Sequence, residues 1–204
     1  MQLSDLRFDF VLDGSFRLDG GAMFGIVPKP LWERAIPADE KNRIPMGLRT
    51  LLVRGRGRTM LVDTGMGDKW SEKDRGIYAL DQGGGGLLAE LGRLGVVPED
   101  VTDVLLTHLH FDHTGGSTRR EAGGRLVPSF PRAVYHVQRL NWDWAQAPTL
   151  KDRGSYLPEN FVPLAEAGVL RFHEGAGELL PGVEAVVVNG HTPGMQLLRF
   201  RTDG

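Results

Sequence analysis

Three of the six histidines in this 204-residue chain fall in one short run, Thr107-His108-Leu109-His110-Phe111-Asp112-His113, with an aspartate between the second and third. At the chain's own residue frequencies, a random match to H-x-H-x-D-H has a chance of about 4 in 10,000, so composition alone does not explain the run. Imidazole and carboxylate ligate divalent cations, and clustering them brings little packing benefit. His108 and His110, two apart in an extended segment, project to one side and can grip one cation. Asp112 and His113 can turn towards a second. Two cations roughly 3.5–4 Å apart can share a hydroxide and polarise a substrate oxygen. The competing reading is a solvated histidine-rich turn.

Two further turns carry chemistry-bearing residues. In Leu61-Val62-Asp63-Thr64-Gly65 an apolar run delivers Asp63 to a tight turn. Alone, this reads equally well as an Asx-turn. Beside the histidines it reads as an acceptor for a ligand's ring N–H, supporting the metal site from behind. In Asn189-Gly190-His191-Thr192-Pro193-Gly194 a histidine follows an apolar strand and sits among turn formers. It can complete the three protein ligands of a catalytic cation. His136, inside Val134-Tyr135-His136-Val137, reads as structural, and His173 as an exposed strand end. Met23 and Phe24 lie on a glycine-flanked loop and are candidates for apolar substrate contacts; packing of that loop on the core accounts for them equally well.

These turns need elements to hold them. Residues 8–11, 16–18, 48–53, 59–62, 104–106, 133–137, 169–172, 183–188 and 197–200 read as strands. The pair 48–53 and 59–62 forms a hairpin, and residues 20–30 form a loop. Leu87, Leu88, Leu91 and Leu94 fall at helical spacing with Gly95 as a stop, and residues 138–147 and 161–167 read as further helices. On the helix over 138–147, Trp142 and Trp144 should face different sides, one towards the core and the other free to wall a pocket. Strands outnumber helices and are interrupted by them singly, which predicts an α/β or α+β layered domain with mixed sheets, one domain over residues 1–204.

Composition narrows the function classes. Lys+Arg is 24 and Asp+Glu is 26, a formal charge of −2 that gives no reason to expect nucleic acid or an anionic membrane as partner. The chain has no cysteine, which removes thiol nucleophiles, disulfides and thiolate-held metals, so any metal rests on His, Asp and Glu. The opening MQLSDLRFDF lacks the basic-then-apolar pattern of a secretory signal, and a cytoplasmic protein is expected.

The D-T-G turn, the H-x-H-x-D-H run and the G-H-T-P-G turn, in this order, resemble the metallo-β-lactamase superfamily. The stretches Leu18-Asp19-Gly20-Gly21-Ala22-Met23-Phe24-Gly25 and Thr107 to Gly116 are similar to the branch of N-acyl-homoserine lactone lactonases and related esterases. The resemblance implies a four-layer αββα sandwich with metals at one edge of the two sheets. It implies His108, His110 and His191 on the first metal, and Asp112 and His113 on the second. Two divalent ions are implied, zinc first, with iron, manganese or cobalt open. Oxidoreductases of the superfamily commonly place Glu where this chain has His110, which favours hydrolysis.

The implied reaction is attack of a bridging hydroxide on an ester or lactone carbonyl, an N-acyl-homoserine lactone being favoured, with Asp112 also guiding a proton. Phosphotriesters and thioesters remain open on the same site, as does a truncated, catalytically silent binding protein. A small ester or lactone is the expected partner, and a homodimer stays open. Family members continue past the third motif to a metal-bridging Asp and a last His, whereas this chain stops at Gly204. Asp203 lies too close to the preceding strand for the bridging role. The expectation is a domain lacking its last strand–helix unit.

Overall fold

The computed structural model describes residues 1–202. Its first half is a meander of long strands: β1 (Gln2–Leu3), β2 (Leu6–Asp19), β3 (Arg43–Gly55) and β4 (Arg58–Val62), each antiparallel to the one before. Two short helices, α1 (Gly20–Phe24) and α2 (Lys29–Trp32), connect β2 to β3. Helices α3 (Glu72–Tyr78) and α4 (Gly86–Arg93) then lead to β5 (Asp103–Leu105). The one-turn helix α5 (Phe111–Thr114) follows, then the small hairpin β6 (Thr118–Arg120) and β7 (Leu126–Pro128), and then β8 (Val134–Gln138). Helices α6 (Arg139–Gln146) and α7 (Val162–Glu166) precede β9 (Leu170–His173). The main sheet runs β1-β2-β3-β4-β5-β8-β9, and its last four strands are mutually parallel. A second, antiparallel sheet is β10 (Gly177–Leu180), β11 (Val183–Val188) and β12 (Met195–Phe200).

The central strands are short and apolar because both their faces are covered. On one face Leu52, Leu61, Val104, Tyr135 and Val137 pack with Leu87 and Leu91 of α4, Ala145 of α6 and Leu164 of α7. On the other, Leu6, Phe8, Val53, Met60 and Leu105 pack with Leu179, Leu180, Val183 and Ala185 of the second sheet. Adjacent residues such as Leu52 and Val53, or Val104 and Leu105, therefore serve opposite layers, as a period of two demands. Each such buried side chain contributes about 1.5–3 kcal/mol. The result is mixed sheets covered by helices, an α/β sandwich.

Several expectations change. The strands expected at residues 8–11 and 16–18 are one strand of 14 residues, broken only by a register shift between Leu12 and Gly14. The expected loop at 20–30 contains α1 and the first residues of α2, the former capped by Asp19, whose carboxylate accepts from Ala22 N at 2.8 Å. Trp142 and Trp144 both pack, half-buried, against the same core cluster, and Trp144 Nε1 donates to Asp152 at 2.7 Å, so neither stands free to wall a pocket. His173 is half-buried and pairs with His136, Nε2 to Nδ1, at 2.9 Å instead of being an exposed strand end. Asp203 lies outside the described residues. Among the described residues, no helix is long and apolar enough to cross a membrane.

Candidate metal centre

Parallel strands β4 and β5 end side by side, Val62 opposite Leu105. The chain leaves both ends into turns, and Asp63 takes a left-handed conformation (φ 60°). Its N–H donates to Leu105 O at 3.1 Å. Its Oδ1 accepts from Thr107 N at 2.8 Å and from Thr107 Oγ1 at 3.0 Å. The two turns are thereby locked together before any ligand is counted. Gly65 closes the first turn with φ +67°, where a Cβ would lie 2.2 Å from Asp13 Oδ2, so only glycine fits.

The hydrogen bonds fix which imidazole nitrogens are free. Thr107 Oγ1 donates to the Asp63 carboxylate, so its oxygen accepts from His108 Nδ1, 3.0 Å away. That leaves His108 Nε2 as a lone pair, buried and without a hydrogen-bond partner. His110 Nε2 is likewise buried and unpartnered, while His110 Nδ1 lies 3.1 Å from His191 Nε2. Among the described residues, ligand atoms of His108, His110 and His191 all fall within 4.8 Å of one another.

His113 and Asp112 lie beside this trio. The His108 and His113 rings are 4.1 Å apart between centroids. His113 Nδ1 donates to Asp63 Oδ2 at 2.8 Å, and its Nε2 is 3.4 Å from Asp112 Oδ2. Asp63 thus orients His113 and, through Thr107, His108. All the residues expected at the centre are brought to one place. Met23 and Phe24 are not among them. Phe24 stacks on Trp32 at 5.0 Å within the α1–α2 segment, and Met23 is exposed on α1.

The electrostatics suit a cation. Burial, then the neighbouring imidazoles of His113, His110 and His191, drives the His108 pKa far below its usual value. Burial, His191 and His113 lower His110 to about 4, and burial and His113 also lower His191. The downward shifts favour the neutral form of all three, the form that ligates. Burial alone would lower His113 too, but the Asp63 and Asp112 carboxylates raise it to about 9. Buried lone pairs without partners, neutral rings and adjacent carboxylates form a donor set that fits divalent cations.

Sequence reasoning missed the residues that hold these loops. Asp13, 1% exposed, accepts from Met66 N at 2.9 Å and Leu87 N at 2.8 Å, and burial raises its pKa. Lys69 Nζ donates to Gly115 O and, at 2.8 Å, to Thr118 O; burial brings its pKa down to about 8. Gln196 joins the second sheet to the metal loop, its N donating to Thr107 O at 2.9 Å and its Nε2 to Leu106 O at 2.8 Å.

Comparison with known proteins agrees with the geometry. The family model described as the metallo-beta-lactamase superfamily matches residues 49–204. An N-acyl homoserine lactonase of Bacillus cereus is 33% identical over 113 residues, covering 55% of this chain and 38% of that protein. One from Azorhizobium caulinodans is 36% identical over 122 residues, covering 57% of this chain and 42% of that protein. The chain thus spans about two-fifths of the length of the curated relatives it matches. A crystal structure described as a probable metal-dependent hydrolase from Staphylococcus aureus superposes with a TM-score of 0.88 at 30% identity, covering 100% of this chain and 71% of that one. A dizinc quorum-quenching lactonase in complex with its product superposes with a TM-score of 0.77 at 21% identity, over 100% of this chain and 70% of that one, a likeness of fold. With the family model spanning β4 through β12 and the same sandwich recurring in these structures, the chain belongs to the metallo-beta-lactamase superfamily.

Proposed function

We propose that residues 1–204 form a single domain of a metal-dependent hydrolase that opens ester or lactone bonds, with N-acyl-homoserine lactones as the favoured substrates. The carrying observation is the meeting of His108, His110 and His191, with the Nε2 atoms of His108 and His110 buried and without a protein partner. The similarity to N-acyl homoserine lactonases supports the lactone. The all-imidazole and carboxylate donor set, and the dizinc lactonase of like fold, support zinc.

His108, His110 and His191 would hold the first cation, and Asp112 and His113 the second. Divalent cations bound there supply Lewis acidity towards the carbonyl and make water nucleophilic at neutral pH. The chain's own contribution is orientation and proton handling. Asp63 fixes the His113 ring directly and the His108 ring through Thr107, so neither turns away when substrate enters. The Asp112 carboxylate, half-buried and directed at the same space, can accept a proton from attacking water and return it to the leaving alkoxide.

The test loads this chain with zinc or cobalt and compares turnover of a short- and a long-chain N-acyl-homoserine lactone, an aryl phosphotriester and a glutathione thioester. Lactone opening with the highest kcat/KM supports the proposal. Metal binding without lactone turnover rejects the lactonase reading. Faster phosphotriester or thioester cleavage reassigns the electrophile and keeps the site.

A further inference from the structure

The metal centre joins two loops far apart in sequence, and a single side chain reaches both. Asn141 lies in the first turn of α6 and is 0% exposed. Its Oδ1 accepts from Leu109 N at 2.9 Å, the peptide between His108 and His110. Its Nδ2 donates to Pro193 O at 2.7 Å and reaches Thr192 Oγ1 at 3.4 Å, the two residues after His191. A backbone N–H can only donate and a carbonyl can only accept, so the amide's orientation is fixed by its partners.

The turn that carries His191 has few other anchors. Asn189, Gly190 and His191 are exposed, whereas Thr192 and Gly194 are buried. Gly194 sits directly on α6: with φ +71°, a Cβ there would lie 2.5 Å from Asn141 N. Tyr156 OH bonds Thr192 Oγ1, and its ring stands edge-on to His110 at 4.7 Å between centroids. Beside the His110–His191 contact and the Gln196 bonds to Thr107 and Leu106, the His191 turn is therefore tied to the His108–His110 loop through one buried amide, with Tyr156 as a second arm.

We infer that Asn141 is a positioning residue for the first cation, an amide clasp that holds the His191 turn at ligating distance from the His108–His110 loop. This rests on the metal-centre reading proposed above. An aspartate at this position keeps the shape and the acceptor for Leu109, but it has no N–H for Pro193 and sets a carboxylate oxygen against that carbonyl. A leucine keeps neither bond.

The test is a cobalt(II) titration of the full chain against a chelating indicator, read as a dissociation constant and as the visible absorption of bound cobalt. Asn141→Asp is expected to bind cobalt at least about 10-fold more weakly, the scale seen when groups behind metal ligands are removed, with an altered absorption band. Tyr156→Phe, which releases Thr192, is expected to shift both readouts in the same direction by less. His136→Gln disturbs an equally buried polar network away from both loops; it is expected to lower thermal stability and leave the cobalt spectrum as in the parent. Asn141→Asp with affinity within about twofold of the parent and an unchanged spectrum overturns the clasp and spares the metal centre. A parent chain that binds no cobalt overturns the metal-centre reading itself, and the clasp with it. Should Asn141→Asp fail to fold, Tyr156→Phe decides on the same two readouts.

Discussion

Asp63 concentrates three tasks in one carboxylate. It ties the β4 turn to Thr107, sets the His108 tautomer through that threonine, and holds His113 with its Nε2 directed towards Asp112. Its effect on His113 has a sign that can be checked. Burial opposes protonation of His113, but the two carboxylates win and raise its pKa to about 9. A raised pKa means the folded state binds the proton more tightly than the unfolded chain does. The resulting stabilisation of the metal-free protein is complete below about pH 6.5 and is lost as pH rises through about 9. Asp63→Asn should bring the His113 titration, followed by NMR in the metal-free chain, back towards the ordinary imidazole range and flatten stability between those two pH values. Because His113 must shed this proton to ligate, zinc binding by the parent should release a proton at pH 7, measurable as a buffer-dependent enthalpy in calorimetry. In Asp63→Asn that release should shrink, while zinc affinity falls about 10–100-fold as orientation is lost.

Among the elements, the parallel strands carry a second polar device unrelated to the metal loops. Asp103 of β5 accepts from His136 Nε2 of β8 at 2.9 Å, and His136 Nδ1 meets His173 Nε2 of β9 at 2.9 Å. Arg58 of β4 closes the other end at 2.7 Å from Asp103 Oδ2. Four neighbouring strands are linked by one chain of side chains through a region where Asp103 and His136 are both buried. Burial works against the Asp103 charge, but His136, Thr102 and Arg58 overcome it and bring its pKa to about 2. The stabilisation this supplies is present above about pH 3.8 and disappears as pH falls through about 2. His136→Ala should cost about 2–4 kcal/mol in urea unfolding, from the lost charge-assisted bond and the cavity left behind. The sequence made His136 legible as structural, because a histidine inside a β-rich run has few other uses. Its partner His173 was not legible, since pairing across β8 and β9 depends on register that no local pattern encodes. The same limit runs through the fold. Helix α4 and strands β4, β5 and β11 announce themselves by apolar spacing, because each buries a face against the core. Helix α3 buries none of its residues and is held by the Ser71 cap, so it carries no stripe to read. The candidate ligands are legible because metal chemistry restricts residue type and spacing at once. Asn141, Asp13 and Gln196 act through backbone groups of distant loops, and nothing nearby in sequence marks them.

At the scale of the whole molecule, the candidate ligands sit where the two sheets meet. His108, His110, Asp112 and His113 follow β5 of the main sheet, whereas His191 lies between β11 and β12 of the second. Gln196 already joins the sheets at this edge through Thr107 O and Leu106 O, and Gln138 Nε2 donates to Gln196 Oε1 at 2.8 Å. A cation held by residues from both sheets adds a crosslink the unfolded chain lacks, so binding free energy becomes folding free energy. At a free zinc concentration about 1,000 times the dissociation constant, the gain is about 4 kcal/mol. For a chain of this size that corresponds to a rise in Tm of roughly 8–16 °C. Excess chelator should reverse the shift. The location of the candidate ligands makes the prediction specific: His191→Ala removes only the second sheet's candidate ligand and leaves the main-sheet loop intact. It should lose most of the zinc-dependent rise while keeping the metal-free Tm within a few degrees of the parent, because His191 is exposed and its ring contributes little to the core. Asn141→Asp should lose part of the rise, since its turn can still reach the cation at the cost of ordering. A parent whose Tm is unmoved by zinc, or a His191→Ala variant that keeps the full shift, would mean that the two sheets are not joined through a cation at this edge.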